Sequence, residues 1–179
     1  MFITNTKSGD KNLAKRLGEL VKCSGKLDML VGFFYFSGVK VMTEPLRSNK
    51  EIHLRVLVGM EAERFCGQIV EAASVSTATD NNSIRNSFYD SLRRVMGSDK
   101  VDNQAFHERL ELFIELLLDR RLEIRKTLEP NHAKLYIFTM AEEFQTLCPK
   151  VWINGSSNFS EPGLALQNEL NVEISDFGS

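Results

Sequence analysis

The stretch that most constrains this chain is residues 27–36. It is a dense apolar run that includes Val31, Phe33, Phe34 and Tyr35, and Ser37-Gly38 punctuates its end. A strand apolar on both faces must be covered on both, as in a parallel sheet flanked by helices. Residues 39–46 then read as a short helix with Pro45 near its end, and 52–58 alternate as a second strand closed by Gly59. Two strands flanking one helix fit a parallel βαβ unit, which puts the chain in the α/β class.

The remaining segments fall around that unit. Residues 11–23 have an apolar stripe of Leu13, Leu17, Leu20 and Val21 with charged residues opposite, an amphipathic helix ended by Ser24-Gly25. Residues 61–73 read as helical, 74–83 as a loop, and 83–96 as a helix broken by Gly97-Ser98-Asp99. A longer helix follows over 102–120, with Phe106, Leu110, Phe113, Ile114 and Leu117 inward, and then a third strand over 122–127. Three closely spaced strands end the chain, at 131–138, 151–153 and 167–174. Crossover helices first and adjacent strands afterwards predict a mixed β-sheet sandwiched by helices, in a single domain spanning 1–179. A chain of 179 residues buries enough surface to fold alone. Trp152 and Tyr136 are expected in the core.

Composition narrows the function classes. With a net charge of −2 there is no overall basic excess, so a nucleic-acid site has to be a local patch. Cys23, Cys66 and Cys148 are odd in number and have no metal-ligand spacing, which predicts a reduced, cytoplasmic protein. No signal peptide and no apolar run long enough to span a bilayer is seen.

The chemistry concentrates near the end. His132 and Lys134 stand two apart in an alternating run, so on a strand they project from one face. The apolar strand 151–153 runs into Gly155-Ser156-Ser157-Asn158, where Gly155 permits a tight path and Ser156 and Asn158 bring polar side chains. After Pro162 and Gly163, residues 167–174 alternate again, with Glu169, Asn171 and Glu173 on one face.

This set of motifs resembles the phospholipase D superfamily. Its signature is His-x-Lys, four residues, Asp, then Gly-Ser-x-Asn, with a carboxylate about one strand later. Here His132-x-Lys134, Gly155-Ser156-Ser157-Asn158 and Glu169 fall in that order, while Thr139 occupies the position of the motif Asp. The resemblance covers roughly the last fifty residues well. It implies the helix-flanked mixed sheet and a metal-independent phosphodiesterase without a cofactor. His132 would attack phosphorus and form a phosphohistidine, and Lys134 would pair with a non-bridging oxygen. Asn158 and Ser156 would donate hydrogen bonds to the phosphoryl oxygens. Glu169 would orient the His132 ring, with Glu173 the runner-up.

Two-lobed members of the superfamily carry two His-x-Lys motifs in one chain. This chain has one, and His53 and His107 lack the companion residues, so a symmetric homodimer with one composite site is expected. The missing Asp points toward the nuclease-like members, hence to DNA as substrate and to a domain forming the N-terminal part of a longer restriction or helicase-type protein. Two other readings stand beside this one: a non-catalytic DNA-binding or dimerisation module, and a phospholipid hydrolase. Arg120-Arg121 and Arg125-Lys126, just before the motif, are candidates for lining a phosphate groove. Tyr35 and Ser37 are candidates for a place near the site.

Overall fold

The computed structural model describes residues 1–5, 12–62, 66–67, 71 and 104–177. Among these, seven strands form one mixed sheet: β1 (Phe2–Ile3), β2 (Ser24–Phe34), β3 (His53–Ala62), β4 (Leu122–Lys126), β5 (Leu135–Met140), β6 (Lys150–Gly155) and β7 (Asn171–Asp176), in the order β1-β7-β6-β5-β2-β3-β4. β2, β3 and β4 are parallel, and β2-β5, β5-β6, β6-β7 and β7-β1 pair antiparallel. The helices are α1 (Leu13–Lys22), α2 (Phe36–Ser48) and α3 (Gln104–Leu118). The α/β class and the mixed sheet thus agree with the sequence reading. The strand β1 had no sequence signal, being two residues long.

One face of the sheet carries the core. Leu27, Met29 and Val31 of β2 stand in register with Leu54, Val56 and Val58 of β3, and Tyr136 and Phe138 of β5 with Ile153 and Val151 of β6. α1 places Leu13, Leu17, Leu20 and Val21 on this core, the stripe read from the sequence. α2 lies between α1 and α3, and Phe34 stacks on Phe159 with centroids 4.9 Å apart. Each such aromatic contributes on the order of 1.5–3 kcal/mol through burial. Among the described residues the helices cover this face only. The helix read over 83–96 lies outside the described residues, and of 61–73 only 61–62, on β3, and the helical 66–67 and 71 fall within them. The opposite face bears Asp28, Leu30, Arg55, Leu57, Leu135 and Ile137 around a cavity of about 400 Å³. Trp152 is only half-buried there, not in the core as expected, because β6 turns Val151 and Ile153 inward instead.

Several element ends differ from the sequence reading. Ser24 starts β2 rather than ending α1, and its hydroxyl donates to the Leu20 carbonyl at 2.7 Å. α2 begins at Phe36, so Ser37-Gly38 lies inside the helix, with Gly38 packed against Phe159. Gly59 lies within β3 and does not close it.

Candidate functional site

The parallel strands run toward one edge of the sheet, where four chain segments meet. A row of register partners, Leu30, Leu135, Asn154 and Val172, crosses β2, β5, β6 and β7. Just beyond it lie the end of β2, the entry to β5, the exit of β6 and the entry to β7. Open α/β sheets place ligands at this edge, where side chains leave the pleat and converge.

The entry to β5 holds His132 and Lys134. The Ala133 N–H donates to Asn131 Oδ1 at 2.8 Å, and the Asn131 N–H donates to the Gly59 carbonyl at 2.8 Å. This side-chain turn takes the place of a ladder, so β5 starts only at Leu135 and the expected shared strand face is not formed. His132 is exposed, whereas Lys134 is only 5% exposed. The two side chains still meet. The Lys134 ammonium lies 2.8 and 2.9 Å from the two ring nitrogens of His132 and donates to the His132 carbonyl at 2.7 Å. The ring lone pairs diverge, so one ammonium at near-equal distance from both nitrogens rests against the ring and does not lie along either lone pair.

The end of β2 supplies the other wall. Its register with β3 shifts between Val31 and Phe33. The Phe33 N–H donates to Asn158 Oδ1 at 3.0 Å. An N–H needs an oxygen opposite it, so this bond fixes the amide orientation and turns the Asn158 nitrogen away. That nitrogen has no acceptor among the described residues. A Cβ on Gly32 would stand 3.0 Å from the His132 ring and 3.3 Å from Asn158 Oδ1, so imidazole and carboxamide flank the same gap. The Phe33 ring meets the His132 ring edge-on, centroids 6.0 Å apart at 79°.

The carboxylates are placed differently from the sequence reading. β7 starts at Asn171, so Glu169 precedes the strand and does not share its face. Its Oε2 accepts the Ser156 hydroxyl, and among the described residues it makes no hydrogen bond to His132. The expected orienting bond from Glu169 to the imidazole is therefore absent, and the Ser156 proton points to Glu169. The Leu170 N–H in turn donates to Ser156 Oγ at 3.1 Å. Glu173 is removed as the runner-up. It is buried and held bidentately by Arg16, with both bonds at 2.7 Å, and this raises the Arg16 guanidinium above its ordinary range against the effect of burial. Thr139 stands at the far end of β5, in register with Lys26 and Lys150. At about 3.3 Å per residue it is roughly 16 Å along the strand from Lys134, so it takes no part in the site.

Burial lowers the Lys134 pKa from 10.5, and the nearby Glu169 charge opposes that shift. Below the site the Tyr136 hydroxyl donates to the Ser157 carbonyl at 2.9 Å, and burial, then Glu169, pushes that phenol well above 10.0. Asn171 Nδ2 donates to Ser157 Oγ at 2.9 Å. A Cβ on Gly155 would stand 2.3 Å from both Asn171 Oδ1 and the Leu170 carbonyl, so this glycine serves the close approach of β7.

Gly32, Phe33, Gly59 and Asn131 were not singled out as site residues in the sequence. Asn131 carried a usable signal, since asparagine two residues before an N–H favours this turn. The others depend on contacts between distant segments. Of the basic candidates, Arg121 donates to the Asn49 and Ile52 carbonyls at the opposite edge, Arg120 follows α3 there with φ 56°, and Arg125 pairs with Glu123. Lys126 ends β4 at the site's edge and has no ion-pair partner among the described residues.

Among the described residues no three His, Cys, Asp or Glu side chains gather as metal ligands, and no helix is long and apolar enough to cross a membrane. Comparison with protein-family models gave no match, and comparison with curated proteins gave none.

Proposed function

We propose that the chain is a metal-independent phosphodiesterase of the phospholipase D kind, acting on DNA. One observation carries the reading. The Asn158 amide is held at its oxygen by Phe33 and its nitrogen has no acceptor among the described residues, while the exposed His132 ring beside it rests against the Lys134 ammonium. An aromatic nucleophile, a cation and an oriented amide brought to one edge of the sheet suit a phosphoryl group, whose oxygens need positive charge and N–H donors as the phosphorus is attacked.

In this scheme a neutral ring nitrogen of His132 attacks phosphorus. The N–P bond forms as the bond to the leaving oxygen breaks. Lys134 and Asn158 hold the non-bridging oxygens, while Glu169 supports the charge on Lys134. The leaving oxygen takes a proton from a second imidazole, which then accepts a proton from the water that cleaves the N–P bond. Among the described residues neither other histidine meets His132, Lys134 or Asn158: His53 begins β3 at the opposite edge, and His107 sits against Phe106 on α3. The second imidazole is therefore His132 of a symmetric partner, in a homodimer with one composite site. A cytoplasmic restriction or helicase-type assembly, with further domains on the same polypeptide, is the setting that suits such a unit.

The test is cleavage of labelled DNA in excess chelator, with light scattering in parallel. Wild type cleaves and elutes as a dimer, and His132→Ala keeps the dimer and loses cleavage. Cleavage that needs added metal, or that survives His132→Ala, ends this reading.

A further inference from the structure

Next to the His132 ring the chain presents two aromatic side chains that the catalytic scheme does not use. Residues 33–36 alternate in direction at the end of β2. Phe34 turns inward onto Phe159, with ring planes 5° apart, while Phe33 and Tyr35 turn outward on the side of the site. Their rings lie 6.2 Å apart at 21°, and Phe33 is in turn 6.0 Å from the His132 ring. At that separation two nearly parallel rings are offset and do not overlap fully, so neither covers the other's face. Tyr35 is 39% exposed. The segment is nevertheless fixed: the Tyr35 N–H donates to the Phe159 carbonyl at 2.9 Å, and its own carbonyl accepts the Gly38 N–H at 2.9 Å. A rigid aromatic step leading away from a nucleophile has little to gain from water, since its faces are apolar and already ordered.

We propose that Phe33 and Tyr35 form a stacking platform for the base next to the reacting phosphate, which makes the substrate a single-stranded nucleic acid. This deepens the phosphodiesterase reading and rests on it. With the phosphate at His132, the attached base lies one sugar away, within reach of the step. Any base has a π-face to offer, so the platform holds a strand without reading its sequence. In a duplex the bases are stacked on one another and cannot turn onto Tyr35. A phospholipid headgroup offers no planar ring at all.

The experiment compares a fluorescent single strand with a strand of equal length whose bases are replaced by tetrahydrofuran spacers, both in chelator. Binding is followed by anisotropy and cleavage on gels. Wild type is expected to bind the base-bearing strand about tenfold more tightly. That ratio falls toward one in Tyr35→Ala and persists in Tyr35→Phe, which keeps the ring. Tyr35→Leu, apolar but without a π-face, takes the place of the alanine variant if melting shows the latter unfolded. Equal binding of the two strands by wild type, or a ratio that survives loss of the ring, overturns the platform. The two proposals fail separately. Base preference without chelator-resistant cleavage fells the phosphodiesterase and leaves the platform, whereas cleavage without base preference does the reverse.

Discussion

The two edges of this sheet are both rich in polar side chains, and each holds an asparagine that ties distant segments together. At the edge where β3 begins, Asn49 uses every function it has. Its nitrogen donates to the Val21 and Ser24 carbonyls at 2.7 and 2.8 Å, and its oxygen accepts the Glu51 and Ile52 N–H groups. Arg121 closes the set on the Asn49 carbonyl at 2.8 Å. At the edge where β2 ends, the Asn158 backbone carbonyl accepts the Ser160 N–H, but among the described residues its side chain uses only its oxygen, on the Phe33 N–H. The first asparagine is complete in the folded chain. The second is oriented by the fold, with side-chain donors that find no acceptor among the described residues. Both are half-buried, and the proposed function draws on the difference, giving the first a structural role and the second a place in the site.

The largest effect that sharpens this contrast is Asn158→Asp. One oxygen still accepts from Phe33, while the other replaces a donor by a negative charge facing the phosphate. We expect kcat to fall about 10²–10³-fold with the melting temperature nearly unchanged. Asn49→Ala should behave in the opposite way, with stability lower by about 2–3 kcal/mol in denaturant titration and kcat of the folded fraction retained, because several backbone groups lose their partner. If the two variants trade these signatures, the distinction between the edges is broken.

Lys134→Met gives the smallest change in stability, and its direction is informative. The folded state lowers the pKa of Lys134 from 10.5 chiefly because burial penalises the ammonium. A depressed lysine pKa costs stability while the group is charged in both states, and the cost disappears as pH rises through the folded pKa toward the unfolded one. Wild type should therefore melt slightly below Lys134→Met at neutral pH, with the gap closing toward pH 10.5, although the proposed function makes the variant inactive. Wild type melting above the variant at neutral pH would mean that the charge on Glu169 and the hydrogen bond to the His132 carbonyl outweigh burial.

Much of the fold was legible because its signals are local. The stripe Leu13, Leu17, Leu20, Val21 and the alternation read over 131–138, of which 135–138 lie on β5, each follow from a period of 3.6 or 2. The residues gathered at the site were legible by type, since His132, Lys134, Asn158, Ser156 and Glu169 all lie at one edge. Their pairings were not. Glu169 reads as a partner for His132 until Ser156 is seen to take it, and Glu173 reads as a spare until Arg16, 157 residues away, closes on it. Gly32 and Gly59 carry no sign in the sequence of what lies beside them, because those neighbours come from the loop entering β5 and from the turn after β6.

The central claim, that His132 carries the phosphoryl group, is tested most directly by mass spectrometry of the protein quenched in neutral denaturant during turnover in chelator. A phosphoryl-oligonucleotide adduct is expected on the peptide containing His132 and absent from His132→Ala. Continued cleavage with no adduct, or with the adduct on another residue, would contradict it.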